Sequence, residues 1–180
     1  MRIKKTTQFE SFLASQLTQQ FTAINTKIYN HSVVAELNYT LAKCHGHSAV
    51  NGQSVHKIDF TNAESIVSME VAREGRPAYR IFRERIDCCK FLESSYKRFN
   101  LAEIVLKELK KMKNFPRRCP VKAYTPIILD CLQINWRQLA IYLPNITFKA
   151  TTEFFTNGKK FSEIIFKGTT MQQLRINASG

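Results

Sequence analysis

Apolar residues recur along much of this chain with a period of two. Val33, Ala35, Leu37, Tyr39 and Leu41 alternate with Val34, Glu36, Asn38, Thr40 and Ala42, the pattern of a strand with one buried face. Residues 55–60 predict another strand, and 65–73 a third in which Val67, Met69 and Val71 share a face. Glu74-Gly75-Arg76-Pro77 reads as a turn into a returning strand over 78–87, whose imperfect alternation through Arg80, Arg83, Glu84 and Arg85 predicts a twist or bulge. Residues 124–134 place Ile127, Leu129 and Cys131 on one face. Residues 145–155 and 159–168 flank Asn157-Gly158, a strong hairpin signal, with Ile146, Phe148 and Ala150 facing inward. Cys44-His45-Gly46-His47 reads as a strand end running into a turn at Asn51-Gly52. The end of the chain, 171–180, is polar and is expected to form a flexible tail.

Two stretches have helical spacing instead. Phe9, Phe12, Leu13, Leu17, Phe21 and Ile24 repeat three or four residues apart and predict an amphipathic N-terminal helix. Leu101, Ile104, Val105, Leu109 and Met112 predict a central one. Asn100 stands at its N-cap and Glu103 at the capping-box position, while Lys110, Lys111 and Lys113 occupy the last turn ahead of Pro116. Seven or eight strands joined by hairpin turns, with these two helices, predict a mainly β protein: an antiparallel β-sandwich as a single domain over 27–170, after an extension over 1–26.

A chain of 180 residues that is 44% hydrophobic can build one sizeable core. Its formal net charge of +13 predicts attraction to an anionic surface. The cations gather around the central helix, where Lys110, Lys111, Lys113, Arg117 and Arg118 form a basic rim. Four sequons, at Asn30, Asn38, Asn145 and Asn177, and five cysteines lean towards an extracellular, glycosylated protein. Residues 1–25 offer no apolar run of signal-peptide length, which leaves two readings: 1–26 stands where a signal region is missing or mis-assigned, or the protein is not secreted.

No catalytic frame emerges: there is no Gly-x-Ser-x-Gly elbow, phosphate-cradling Gly-rich loop or His-Glu-x-x-His. The chain is therefore expected not to be an enzyme and to need no cofactor. Cys44, His45 and His47 lack a second pair at zinc-finger spacing, so no metal site is expected. Most aromatic residues fall in strand patterns that suit core packing, which argues against stacking on nucleic acid. Cys88 and Cys89 precede the central helix and Cys119 follows it. A bond across that interval of about 30 residues would clamp the helix by roughly 3–4 kcal/mol in the chain-entropy model; buried thiols are the other reading.

Asp87-x-Cys89-Lys90-Phe91-Leu92, followed some thirty residues later by Cys119-Pro120, resembles the signature of a large insect family of small secreted proteins of unknown function that includes the CheB chemosensory proteins. That family is similar in turn to the ML lipid-recognition proteins, among them the ganglioside activator. The resemblance spans roughly 33–170, and Cys88 is an addition to it. It implies a Cys89–Cys119 bridge and an ML-like, immunoglobulin-type sandwich whose sheets splay to hold a lipid. Leu37, Tyr39, Met69, Val71, Leu129, Phe148 and Phe166, with Ile104 and Val105 from the helix, are the expected cavity liners. The same positions equally suit a filled core. An open cavity would favour a binder of a hydrophobic small molecule in chemosensation or lipid handling. Tight packing would favour an interaction protein whose basic surface meets a receptor or glycan partner.

Overall fold

The computed structural model describes residues 16–93, 100–133 and 145–173, with the backbone alone at 16–17, 100–104 and 172–173. Eight strands are present among these residues: β1 (Gln16–Ile28), β2 (Val34–Cys44), β3 (His47–His56), β4 (Ala63–Ala72), β5 (Tyr79–Asp87), β6 (Ile127–Leu132), β7 (Ile146–Thr156) and β8 (Lys159–Gln173). Two short helices, α1 (Cys88–Leu92) and α2 (Asn100–Leu109), lie between β5 and β6. The strands form two antiparallel sheets, one of five in the order β1-β8-β7-β4-β5 and one of three in the order β2-β3-β6. Alternation in the sequence is what makes the protein mainly β, because each strand then has one face to bury.

Several expectations need correction. From Gln16 onward the anticipated N-terminal helix is strand β1, paired with β8 along its length; the earlier part of the extension, residues 1–15, lies outside the described residues. The register shifts between Phe21 and Ala23, skipping exposed Thr22. This bulge turns Phe21 and Ile24, three residues apart, to the same core, so a helical spacing arises in an extended chain. The anticipated tail is strand as far as Gln173, held by its pairing with Gln16. The helical spacing over 101–112 yields only α2, ending at Leu109, a short helix at the margin of the sheets and not a central element. The side chains of Asn100, Glu103 and Ile104 lie outside the described residues.

The Asn51-Gly52 turn is also displaced. The chain reverses at His45-Gly46, both with positive φ (52° and 79°), so that Cys44 pairs His47, and Asn51-Gly52 lies inside β3. The hairpin at Asn157-Gly158 (φ 49° and 72°) joins β7 to β8 as expected. The irregularity in β5 falls at Ile81, which is skipped between the Met69–Phe82 and Glu70–Arg80 pairs. In β6, Cys131 takes φ 52° and breaks the alternation, leaving Leu132 buried in its place. At the start of α1, Asp87 accepts the Lys90 N–H at 3.1 Å and caps the helix.

The inner faces of both sheets meet in two apolar clusters. One gathers Phe21, Tyr39, Val50, Met69, Leu129 and Phe148 with their neighbours. The other gathers Val33, Val34, Phe60, Leu92, Val121 and Phe161. They lie toward opposite ends of β3, since Val50 belongs to the first and Val34, of the second, pairs His56.

A cavity between the sheets

Antiparallel register sets the inward side chains of the large sheet in rungs. Phe166, Ala150, Met69 and Phe82 form one; Ile164, Thr152, Val67 and Glu84 the next; Ser162, Phe154, Ser65 and Ile86 a third. Ala150, Thr152, Val67, Ser65 and Ser162 are small, and these rungs do not fill the space up to the facing sheet. A cavity of about 310 Å³ remains between the sheets, whereas a well-packed core leaves few voids larger than a water molecule. Leu37, Tyr39, Ser54, His56, Ile127 and Leu129 face the rungs from the small sheet. Val105 and Leu109 of α2, with Phe115, Pro116 and Cys119 beyond it, contribute a further wall.

Of the expected liners, Leu37, Tyr39, Met69, Val105, Leu129, Phe148 and Phe166 border this space. Val71 does not: it is buried to 1% exposure among the first cluster and pairs Phe148, one rung beyond Met69. The side chain of Ile104 is outside the described residues. Sequence reading overlooked Phe21, Phe82, Phe154, Phe161, His56 and Cys88. The bulge at Thr22 hid the first, and His56 carries no signal beyond its inward parity with Ser54.

The polar groups of the cavity are few and differ in how they are satisfied. The Tyr39 hydroxyl is hydrogen-bonded to Ser54; burial pushes its pKa up, against the effect of that bond. The Cys88 thiol, also lining the cavity, is hydrogen-bonded to Ser65, and burial is the main reason its pKa is pushed up to about 11. His56 is nine-tenths buried and its Nδ1 has no hydrogen-bond partner among the described residues. Burial lowers its pKa from 6.5 to about 4, so the ring is neutral at neutral pH. Glu84, half-buried, is the charged liner; among the described residues no lysine or arginine lines the cavity.

Gly52 positions Tyr39. The two residues pair across β2 and β3, and Gly52 has φ +143°, which lets the Tyr39 ring lie against the bare backbone. Two disulfides lie toward opposite ends of β3. Cys44–Cys131 joins β2 to β6 beside the His45-Gly46 turn. Cys89–Cys119 joins α1 to the chain leading into β6, and Cys119 packs on the second cluster, the one around Phe60 and Phe161. This second bond is the pair that the family resemblance implied. Cys88 is free.

The basic residues follow the wall between Leu109 and Cys119. Lys111, Lys113, Arg117 and Arg118 are exposed and Lys110 is half-buried; Lys111 is paired with Glu108 at 2.5 Å. Among the sequon asparagines, Asn38 is exposed on β2 and Asn145 is exposed just before β7. Asn30 is half-exposed in the β1–β2 turn, where its Oδ1 accepts the Ser32 N–H at 2.9 Å, and Asn177 lies outside the described residues. No group of three or more metal-ligating side chains occurs among the described residues; Cys44, the residue nearest His45 and His47 in the motif, is committed to its disulfide. No described helix is long and apolar enough to cross a membrane.

Residues 67–150 match a family described as a protein of unknown function (DUF1091). The match runs from β4 through both helices and β6 into β7, and so includes both cysteines of the Cys89–Cys119 bond. No curated protein matches the chain.

Proposed function

We propose that this protein is a non-enzymatic binder of a lipid or other hydrophobic small molecule, carried in the cavity between its sheets and working in an oxidising, extracellular setting. On this reading the fold is an ML-like, immunoglobulin-type β-sandwich, and the role is chemosensory or lipid-handling, as the sequence resemblance implies. The cavity is the observation that carries it. At about 310 Å³ it reaches the size of small-molecule sites, and its apolar walls with a few hydrogen-bonding groups suit such a site. A protein acting only through its basic surface has no use for this space, because unfilled volume in a core costs stability. The two disulfides support the oxidising setting. Cations along the wall from Lys110 to Arg118 support an encounter with an anionic surface or head group outside the cavity.

The test is native mass spectrometry of protein secreted from insect cells behind a supplied signal peptide, with organic extraction of what co-purifies. A defined apolar molecule in the extract is expected, together with glycan mass. Ala150→Phe, which places a ring in the middle of the first rung, should abolish that cargo while the protein remains folded. Folded wild-type protein that is empty and takes up no apolar probe overturns the proposal in favour of surface interaction alone.

A further inference from the structure

The cavity is closed unequally around its margin. Along one side β1 is tied to the small sheet: the Phe21 N–H donates to Ser48 Oγ at 2.9 Å and Thr26 Oγ1 to the Leu37 carbonyl at 3.5 Å. Toward one end Phe60, Phe161 and Phe154 stack in succession, with centroids 5.2 and 6.1 Å apart. The opposite edges of the two sheets are β5 and β6, and the chain that joins them supplies the wall there. Of the liners from β5, from α2 and from the residues after it up to Cys119, all but Ile86 keep part of their surface exposed, whereas Phe21, Tyr39 and Phe161 are buried.

Charge is divided across this side. Glu84 stands between Phe82 and Ile86 on the inner face of β5 and lines the cavity, and no described lysine or arginine does so. Outside, between Val105 and Lys122, the only acidic residue is Glu108, which holds Lys111. Lys113, Arg117 and Arg118 are exposed and form no ion pair with a described residue. Arg117 directly follows one cavity liner, Pro116, and Arg118 directly precedes another, Cys119, so each is about 3.8 Å along the chain from the cavity wall.

On the reading of the cavity as a ligand site, we infer that its guest is a single-chain amphiphile with an anionic head, held tail inward with the head in water beside Lys113, Arg117 and Arg118. An apolar tail matches the walls of the cavity. The head stays outside, because a charge taken into an apolar space that offers no opposite charge loses its water uncompensated, and here it would also meet Glu84. Outside, cations within about 10 Å attract it through water, and the attraction weakens as salt shortens the Debye length. A cationic head is repelled at the same place.

The experiment is displacement of a fluorescent apolar probe from the full chain at neutral pH by dodecanoate, by dodecyltrimethylammonium and by dodecane-1,12-dioate, each below its micellar concentration. At low salt dodecanoate should displace the probe at concentrations about tenfold lower than the ammonium ion, and the gap should narrow as salt is raised. The dioate should displace it poorly, since its second carboxylate would have to enter the cavity. The triple variant Lys113→Glu, Arg117→Glu and Arg118→Glu should lose or invert the preference. Lys43→Glu, Lys159→Glu and Lys167→Glu, also exposed, make the same change in net charge away from this wall and should keep most of it. Equal displacement by the two ions in the wild type at low salt overturns the inference and leaves the carrier reading standing. A loss as large in the second triple variant as in the first means that net charge chooses the ion, and removes the assignment to this wall. Displacement by the dioate equal to that by dodecanoate overturns the inward tail. A wild-type protein that binds no probe overturns both the inference and the carrier reading.

Discussion

Tyr39 lies against Gly52 so closely that a Cβ added to the glycine would stand 2.7 Å from the Tyr39 Cα and 2.8 Å from its Cδ1, and closer still to the Asn38 carbonyl. Backbone atoms cannot step aside as a flexible side chain can. Gly52→Ala, which also has to adopt φ +143°, should therefore cost about 2–4 kcal/mol. Gly46 also has positive φ (79°), but nothing lies within 4 Å of the position its Cβ would take, so Gly46→Ala should cost only about 1 kcal/mol. Urea unfolding of the two variants checks the contrast, and equal midpoints would show that Tyr39 does not depend on the bare backbone beside it.

His56 should make the fold acid-sensitive. Its pKa is about 4 in the folded protein against 6.5 unfolded, so between these values the unfolded chain binds more protons and stability falls as pH falls. The contribution is fully present above pH 6.5 and is lost progressively down to about pH 4. Its ceiling is about 3 kcal/mol, from 1.36 kcal/mol per pKa unit. Denaturation midpoints across this window should drop less steeply in His56→Phe than in the wild type; parallel slopes would mean that other groups carry the acid response.

One free thiol per chain is expected, and it should be inert. Cys88 is half-buried and its pKa is raised to about 11, whereas the thiolate is the form that reacts. Alkylation at pH 8 should be slow in the native protein and rapid in denaturant without reductant, giving a mass shift of one label. Labelling of two or more cysteines would contradict the two disulfides.

Those bonds should differ in weight. Cys44–Cys131 closes a separation of 87 residues and Cys89–Cys119 one of 30, which in the chain-entropy model correspond to about 4.5 and 3.5 kcal/mol. Replacing either pair by alanine should lower Tm by roughly 10 °C, at about 2–4 °C per kcal/mol for a chain of this size, with the larger fall for Cys44/Cys131. Calorimetry checks it; a melting curve unmoved by loss of Cys89 and Cys119 would mean that the bond clamps nothing.

The sequence was most legible where alternation was strict and least where one residue was inserted. Leu37, Tyr39, Met69 and Phe148 could be assigned inward because period two persists around them. The bulges at Thr22 and Ile81 and the left-handed Cys131 each reset the parity. That produced a false helix before Ile28, an ambiguous β5, and the choice of Cys131 over Leu132 for the inner face. Asn51-Gly52 misled for a different reason: Asn-Gly commonly marks a turn, but here the glycine makes room for a ring. The cavity itself cannot be read from a pattern. Ala150, Thr152 and Ser65 look like ordinary alternating residues, and only the register that sets them side by side across β7 and β4 shows that small residues share adjacent rungs. That His56 lies buried against Phe60 and Phe161 is likewise visible only in the fold.

On the carrier reading proposed above, the placement of the two disulfides bears on what kind of guest the protein can tell apart. One staple sits beside the His45-Gly46 turn and the other on the cluster at the opposite end of β3. Cys44–Cys131 ties two strands of the small sheet to each other, whereas Cys89–Cys119 ties the helix that follows β5 to the chain leading into β6, so only the second bond holds the two sheets to each other. Along a homologous series, binding on that reading should cut off by chain length at the bonded end, while tolerating a branch or a double bond.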